Sequence, residues 1–441
     1  MLPAVICSQE LRSAPLCQSL STHGYAVVRL SAEETATVDR MTEQLRRFME
    51  LPLAEKKQQG GSRSLAGVTV GWEMLDFPND HVPRLPEERD VFSVPLCAVS
   101  EAPWPSEPFR IATREVLRMY ANLSNALLQR LASELGCGLA DLLSADSPCF
   151  ELLNPDHDPT LPSPLPPSSS SSSSASSVGP ADRFSELKNN NGLRRELQHG
   201  EADRCDSNLT LFCYHDPQSL LPEPQRCMIH QDVGVLTLLA RPEVPGLEVL
   251  SADGSGFLQL EALLHPGDVV MFAGQTLQRI TRGLIPAAVH RVVRTPGATR
   301  YSMPFELKAS GRTLLAPLDG CPAVACRSVG SPHQPHPQQM LFPNICDSCG
   351  TWVGLRLHRC DSCEDFDLCS RCHGEYASGS GWVLLLHPHP EHRFEQVPAP
   401  KWRGPNHGQA ITAGEFYWEI SRMRQLHRAW RFQQIDFGLP K

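Results

Sequence analysis

The sequence predicts an α+β chain built around a small β-barrel or sandwich, with helices ahead of it and a small metal-held module behind it. Three observations carry that prediction. Short β-branched runs follow one another between Cys227 and Leu307, two stretches of helical periodicity occupy the first third, and regular Cys-x-x-Cys pairs stand near the C-terminus.

The central runs are Cys227 to Leu239, Gly246 to Leu250, Pro266 to Phe272, Ala288 to Val293 and Arg300 to Leu307, each bounded by Gly, Pro or Asp. Consecutive strands joined by turns have this composition. His230 and Asp232 are two residues apart, so on a strand both side chains point to one side, the expected barrel interior. A later strand adds His290. Two imidazoles and one carboxylate, with the remaining positions open, suit non-haem Fe(II) better than a closed tetrahedral zinc cage. Arg300 and Ser302 again share a face, and a planar guanidinium beside a hydroxyl suits a carboxylate held bidentately, here that of a co-substrate chelating the iron.

Taken together, His230-x-Asp232, His290 and Arg300-x-Ser302, set among "DVGVLTLL", "PGDVV" and "VHRVV", closely resemble the Fe(II)/2-oxoglutarate-dependent oxygenases of the isopenicillin N synthase-like branch. The resemblance implies a double-stranded β-helix, or jelly roll, with Fe(II) on the catalytic residues His230, Asp232 and His290 and the distal carboxylate of 2-oxoglutarate on Arg300 and Ser302. Leu209 to Tyr214 is similar to the strand on which plant members carry Asn-x-Tyr. Tyr214 matches the Tyr and is assigned to co-substrate binding, whereas Phe212 stands where the Asn would be and alters the substrate side. The implied activity is a dioxygenase that couples oxidative decarboxylation of 2-oxoglutarate to hydroxylation or desaturation of a small organic molecule. Two other classes fit the same residues. One is a non-catalytic zinc-finger adaptor with a relic barrel; the other is an iron oxidase that sets Arg300 and Ser302 against a substrate carboxylate instead of 2-oxoglutarate.

Residues 1–157 read as the N-terminal part of the same oxygenase. Val38, Met41, Leu45 and Phe48 mark one amphipathic helix within Ala32 to Phe48. Val116, Leu117, Met119, Tyr120, Leu123, Leu127, Leu128 and Leu131 mark a longer one within Ile111 to Leu135, and helices of this kind pack on a sheet. Gly24 to Leu30 reads as a strand. Phe48 to Lys56 resembles the family's "F-x-x-L-P-x-x-x-K" passage, and Glu87 to Val94 its later acidic strand. Residues 158–200 are rich in Pro, Ser and Asn and lack the apolar side chains that offset the entropy of ordering, which predicts a disordered insert ahead of a catalytic core at 201–330.

Residues 331–400 hold Cys346-x-x-Cys349, Cys360-x-x-Cys363, Cys369-x-x-Cys372 and His389-x-x-His392, eight ligands and thus enough for two tetrahedral zinc ions. The order resembles a ZZ-type zinc finger, with Asp365 to Cys369 similar to its "DYDLC". That resemblance implies interleaved sites: Cys346, Cys349, Cys369 and Cys372 on one ion, Cys360, Cys363, His389 and His392 on the other. The gap from Cys372 to His389 is long, and His387 or His336 are the alternatives for one of the last ligands. The family also implies two roles, a folding staple or a reader of peptide or protein N-termini whose α-ammonium group would meet Asp347, Asp365 and Asp367. In 401–441, Thr412 and Glu415 form a capping-box pattern ahead of Phe416, Trp418, Ile420, Met423 and Leu426, similar to the "T-x-G-E" helix that closes many such oxygenases. The finger then reads as an insertion before the last helix.

Composition limits the remaining classes. The chain has 441 residues, 41% of them hydrophobic, which is enough for a sizeable core. A formal charge of −9 lacks the basic footprint of a nucleic-acid surface, and no apolar run reaches the ~18 residues that read as a membrane span. The N-terminal apolar run soon meets Glu10 and Arg12, a poor secretory signal. Six of the 16 Cys fall in Cys-x-x-Cys pairs and the rest are scattered, which suits a reducing compartment, cytosol or nucleus.

Overall fold

Apolar periodicity and end signals fix the helices of the first third. The Ser31 hydroxyl accepts a hydrogen bond from Glu34 N, and the Glu34 carboxylate accepts one from Ser31 N, so a complete capping box opens the helix Ala32–Met49. Ser106 caps Glu107–Leu135, and Gly136, with φ 62°, ends it in the left-handed conformation. The computed structural model describes residues 5–9, 16–65, 68–74, 89–136, 207–215, 225–252, 256–281, 284–293, 295–316, 318, 356–362, 367–368, 370–379, 392–398, 411–414 and 416–417. The insert expected at 158–200 lies outside them.

In chain order the described elements begin β1 (Val5–Cys7), α1 (Leu16–His23), β2 (Tyr25–Arg29), α2 (Ala32–Met49), α3 (Leu53–Gly60), β3 (Arg63–Leu65), β4 (Val68–Met74), β5 (Arg89–Pro95) and α4 (Glu107–Leu135). Next come β6 (Asn208–Tyr214), β7 (Gln225–His230), β8 (Leu236–Ala240), β9 (Leu247–Leu250), β10 (Phe257–Gln259), β11 (Asp268–Ala273) and α5 (Gln275–Ile280). The barrel region ends with β12 (His290–Val293), β13 (Arg300–Ser302), β14 (Pro304–Leu307) and β15 (Leu314–Leu315).

The larger sheet runs β1-β2-β11-β8-β14-β6-β5-β4-β3, with β13 also on β6, and the smaller runs β10-β9-β12-β7. Strand alternation divides the apolar side chains between two cores. Ala26, Val28, Val269, Met271, Leu209, Leu211 and Leu238 face α2 and α4 in the larger one. Tyr25, Val27, Val270, Phe272, Tyr214 and Leu239 form a second core with Leu247, Val249 and Val292 of the smaller sheet. The two sheets therefore close on each other as a jelly roll, with helices on the outer face of the larger one. Tyr120 ties α4 to this scaffold: its hydroxyl accepts from Ala240 N at 3.1 Å, and its ring stacks on Phe305 at 6.0 Å. The predicted α+β class, with its jelly-roll core and N-terminal helices, is the observed one.

After a long excursion the chain returns to the barrel. β19 (Ile411–Thr412) pairs antiparallel with Leu314–Leu315, and Ala413 and Phe416 enter the helix-side core. Thr412 is the last residue of this strand and stands directly ahead of helical residues at 413–414 and 416–417. Within the excursion, β16 (Arg356–Cys360) lies between β17 (Asp367–Leu368) and β18 (Phe394–Pro398), with α6 (Ser370–Ala377) nearby. Among the described residues no helix is long and apolar enough to cross a membrane.

Candidate metal and co-substrate site

β7 ends at His230, so Asp232 lies in the turn beyond it, not on the strand. The shared-face argument from strand alternation therefore does not explain their convergence. Backbone anchoring of residues 231–235 does. Gln275 N donates to Asp232 O at 2.8 Å, and Val233 N and Gly234 N both donate to Glu306 Oε1, at 3.0 and 2.8 Å. The Gln231 side chain donates to Ala287 O at 2.9 Å. So held, Asp232 Oδ1 stands 3.5 Å from His230 Nε2 and 3.7 Å from His290 Nε2. One ligand atom from each of the three lies within 4.8 Å of the others.

His290 opens β12 in register with His230 on β7 and Val249 on β9. Its ring stacks on Phe272 at 4.7 Å with an interplanar angle of 4°. Its Nδ1 lies 3.1 Å from Ala288 O. A carbonyl only accepts, so Nδ1 carries a proton, which leaves Nε2, the atom facing Asp232, as the nitrogen available to a metal. Burial works against charge on Asp232, yet His290 and His230 beside it hold its carboxyl well below the usual range. Burial likewise disfavours charge on His230, but the Cys227 sulfur, 3.9 Å from Nδ1, and Asp232 together raise its pKa well above the ordinary value. Two nitrogens and a carboxylate oxygen converging on one point, with one tautomer fixed by its neighbour, fit Fe(II).

Arg300 and Ser302 do share a strand face, on β13 opposite Tyr214 and Phe212 of β6, and both are buried. The Arg300 guanidinium lies 5.2 Å over the Tyr214 ring, whose hydroxyl pKa burial pushes up to about 12. One relationship has no sequence signal: Arg300 Nη2 donates to Glu261 Oε1 at 2.7 Å. Arg300 Nε and Nη1 are buried with no hydrogen-bond partner among the described residues. Orphaned cationic donors in an apolar interior are costly unless an acceptor reaches them, and a carboxylate fits. Sequence reasoning also missed Glu306 and Gly274; the Gly directly after β11 was the one available hint.

In the module near the C-terminus, Cys360 Sγ lies 3.5 Å from His392 Nδ1, and Cys360 and Cys372 are buried. Asp367 is buried as well, and its two carboxylate oxygens accept from Arg359 Nε and Nη2 at 2.9 and 2.8 Å. It braces β17 on β16 rather than presenting an exposed acid. Cys346, Cys349, Cys363, Cys369, His389, Asp347 and Asp365 lie outside the described residues.

Residues 206–309, which include Tyr214, His230, Asp232, Glu261, His290, Arg300 and Ser302, match the family model of the 2OG-Fe(II) oxygenase superfamily. Over that span the chain is similar to the 2OG-Fe(II) oxygenases. Residues 342–380 match the ZZ-type zinc finger. The chain is 31% identical over 106 residues to the 2-oxoglutarate-Fe(II) type oxidoreductase hxnY of Emericella nidulans, a match that covers 24% of this chain and 29% of that protein. It is 30% identical over 137 residues to an isopenicillin N synthase of Lysobacter lactamgenus, covering 30% and 40%. The chain thus spans less than half the length of these curated relatives. A crystal structure of a full-length Neurospora crassa protein in complex with alpha-KG aligns with a TM-score of 0.50 at 16% identity, over 74% of this chain and 90% of that one, a likeness of fold.

Proposed function

We propose that this protein is an Fe(II)- and 2-oxoglutarate-dependent dioxygenase that hydroxylates or desaturates a small organic substrate. The observation that carries the reading is one barrel interior holding both the His230, Asp232 and His290 cluster and an Arg300 with two buried nitrogens that have no hydrogen-bond partner among the described residues. His230, Asp232 and His290 would hold the iron, and Arg300 and Ser302 the distal carboxylate of the co-substrate, with Tyr214 beside them. Bound together, iron and 2-oxoglutarate supply dioxygen activation coupled to decarboxylation to succinate.

The chain's own residues prepare that chemistry. The Phe272 face and the apolar inter-sheet core keep water from the His290 side. Gln275 N and Glu306 fix the backbone on either side of the Asp232 side chain. Phe212, half-buried against the same core, gives the substrate side an apolar and aromatic surface in place of an amide. The test is anaerobic titration with Fe(II) and then 2-oxoglutarate, followed by the visible metal-to-oxo-acid charge-transfer band. His290→Ala is expected to abolish the band and Arg300→Ala to weaken it. Iron binding with no band in the native protein would defeat the 2-oxoglutarate assignment.

For the finger, Cys346, Cys349, Cys369 and Cys372 are assigned to one zinc ion and Cys360, Cys363, His389 and His392 to a second. The 3.5 Å approach of Cys360 to His392 supports their sharing an ion. Its role is protein interaction, with Asp347 and Asp365 the acids left for a peptide α-ammonium group, since Asp367 is engaged by Arg359. Zinc content by mass spectrometry, before and after Cys360→Ser, tests the count: two ions should fall to one.

A further inference from the structure

Glu261 lies in the turn between β10 and β11 and is only 1% exposed, though nothing about its sequence position marks it as functional. All its carboxylate bonds point inward. Oε2 accepts from Gly246 N at 2.8 Å and Leu247 N at 2.9 Å, and Oε1 accepts from Arg300 Nη2 at 2.7 Å. The glycine it grips is the one that makes room for Arg300. A Cβ on Gly246 would stand 3.2 Å from Arg300 Cδ, 3.3 Å from Nε and 2.9 Å from Val293 O. A single buried carboxylate therefore fixes both the guanidinium and the backbone cradle beside it.

We infer that Glu261 is the positioning residue of the co-substrate carboxylate site: by holding Arg300 through Nη2 it fixes the plane and reach of the guanidinium, whose remaining donors meet the second carboxylate of a dicarboxylic 2-oxo acid. This rests on the proposed 2-oxoglutarate reading. Without Glu261 the Arg300 guanidinium keeps only the face of the Tyr214 ring, and its plane is no longer fixed. Glutamine does not replace it. With the amide oxygen kept on Gly246 N and Leu247 N, the amide NH2 faces Arg300 Nη2, donor against donor. The effect is confined to acids that use Arg300. A 2-oxo acid of equal chain length without the second carboxylate, 2-oxopentanoate, has no use for the arrangement.

The test measures dissociation constants of 2-oxoglutarate and 2-oxopentanoate on the full-length, zinc- and Fe(II)-loaded protein under anaerobic conditions, for native protein, Glu261→Gln, Glu261→Asp and Arg300→Ala. Glu261→Gln is expected to weaken 2-oxoglutarate about tenfold or more, the scale of a lost hydrogen bond to a charged group, with 2-oxopentanoate and Fe(II) affinity unchanged. Glu261→Asp, which keeps the charge on a shorter stem, should fall between. Adding Glu261→Gln to Arg300→Ala should cost nothing more, because one residue acts through the other. Equal loss of both acids would reduce Glu261 to a structural brace and overturn the inference. Unchanged 2-oxoglutarate binding in Glu261→Gln, or in Glu261→Asp where the Gln variant does not fold, overturns it too. If the native protein itself binds no 2-oxoglutarate, the underlying reading fails first and this one with it.

Discussion

A Cβ built on Gly274 would stand 2.1 Å from the carbonyl oxygen of Gly234, closer than any side chain tolerates. The approach lets the first turn of α5 sit on the turn that carries Asp232: Gly274 N donates to Val235 O at 3.0 Å, and the next amide, Gln275 N, donates to Asp232 O. Gly274→Ala must push the two segments apart. Overpacking of this kind costs about 1–3 kcal/mol, and here the displaced atoms are backbone. The expected outcome is a lower melting temperature with a loss of Fe(II) affinity larger than the loss of fold accounts for. Native melting together with native iron affinity would show that the contact carries no such constraint.

Glu306 supports the same turn from the other side, with Oε1 accepting from both Val233 N and Gly234 N. Glu306→Ala leaves those two amides without their acceptor and is expected to cost about 1–3 kcal/mol while weakening Fe(II). Glu306→Gln keeps a carbonyl oxygen for them and should retain most of the affinity. Parallel iron titrations of the two variants decide the matter; identical losses would point to the charge, not the acceptor, as the active feature.

The candidate site residues and the strands were legible in the sequence because each depends on local pattern: β-branched runs, His-x-Asp spacing and a stripe of Val38, Met41, Leu45 and Phe48, whose four side chains are buried. What was not legible is long-range. Asp232 converges on His290 through a turn pinned by residues 43 and 74 positions away, Gln275 and Glu306, and no spacing rule connects them. Arg300 looked like an open fork, but Glu261, 39 positions earlier, already holds one of its nitrogens. Asp367 looked like a surface acid until Arg359 closed on it across the β16 and β17 pair. In each case a group on one element is satisfied by a group on another, and that pairing exists only once the chain has folded.

Iron binding should rise with pH. His230 has its pKa raised, against burial, by Cys227 and Asp232, so near neutral pH the metal-free site holds a proton that Fe(II) must displace. Below that pKa the apparent affinity is expected to fall about tenfold per pH unit for the one competing proton. Cys227→Ala removes the first of the two raising groups and should shift the whole profile to lower pH without changing its plateau. Competition titrations across pH in both proteins give the comparison, and superimposable profiles would exclude Cys227 as the cause.

Lys56 and Asp90 form an ion pair on the helix-facing side of β5, where Asp90 is fully buried and Lys56 nearly so. Lys56 also donates to Met49 O at 3.2 Å, and His215 Nε2 approaches the Asp90 carboxylate at 3.3 Å. Burial raises the Asp90 pKa, but the bonds from His215 and Lys56 outweigh it, and the folded-state value lies below the ordinary one. A depressed carboxylate pKa contributes stability that is present above the unfolded value, about 3.9, and is lost as pH falls through the folded value. Asp90→Asn removes that acid limb and leaves Lys56 buried without its counter-charge, which costs about 3–5 kcal/mol. Lys56→Met combined with Asp90→Leu removes both charges at once and should cost less than Asp90→Asn alone. Because Asp90 pairs with Cys213 on β6, one residue out of phase with Arg300 and Tyr214, it faces away from the barrel interior. Any of these variants that folds is therefore expected to bind Fe(II) as tightly as the native protein, and denaturant unfolding at pH 7 and pH 3 separates the stability effect from the site.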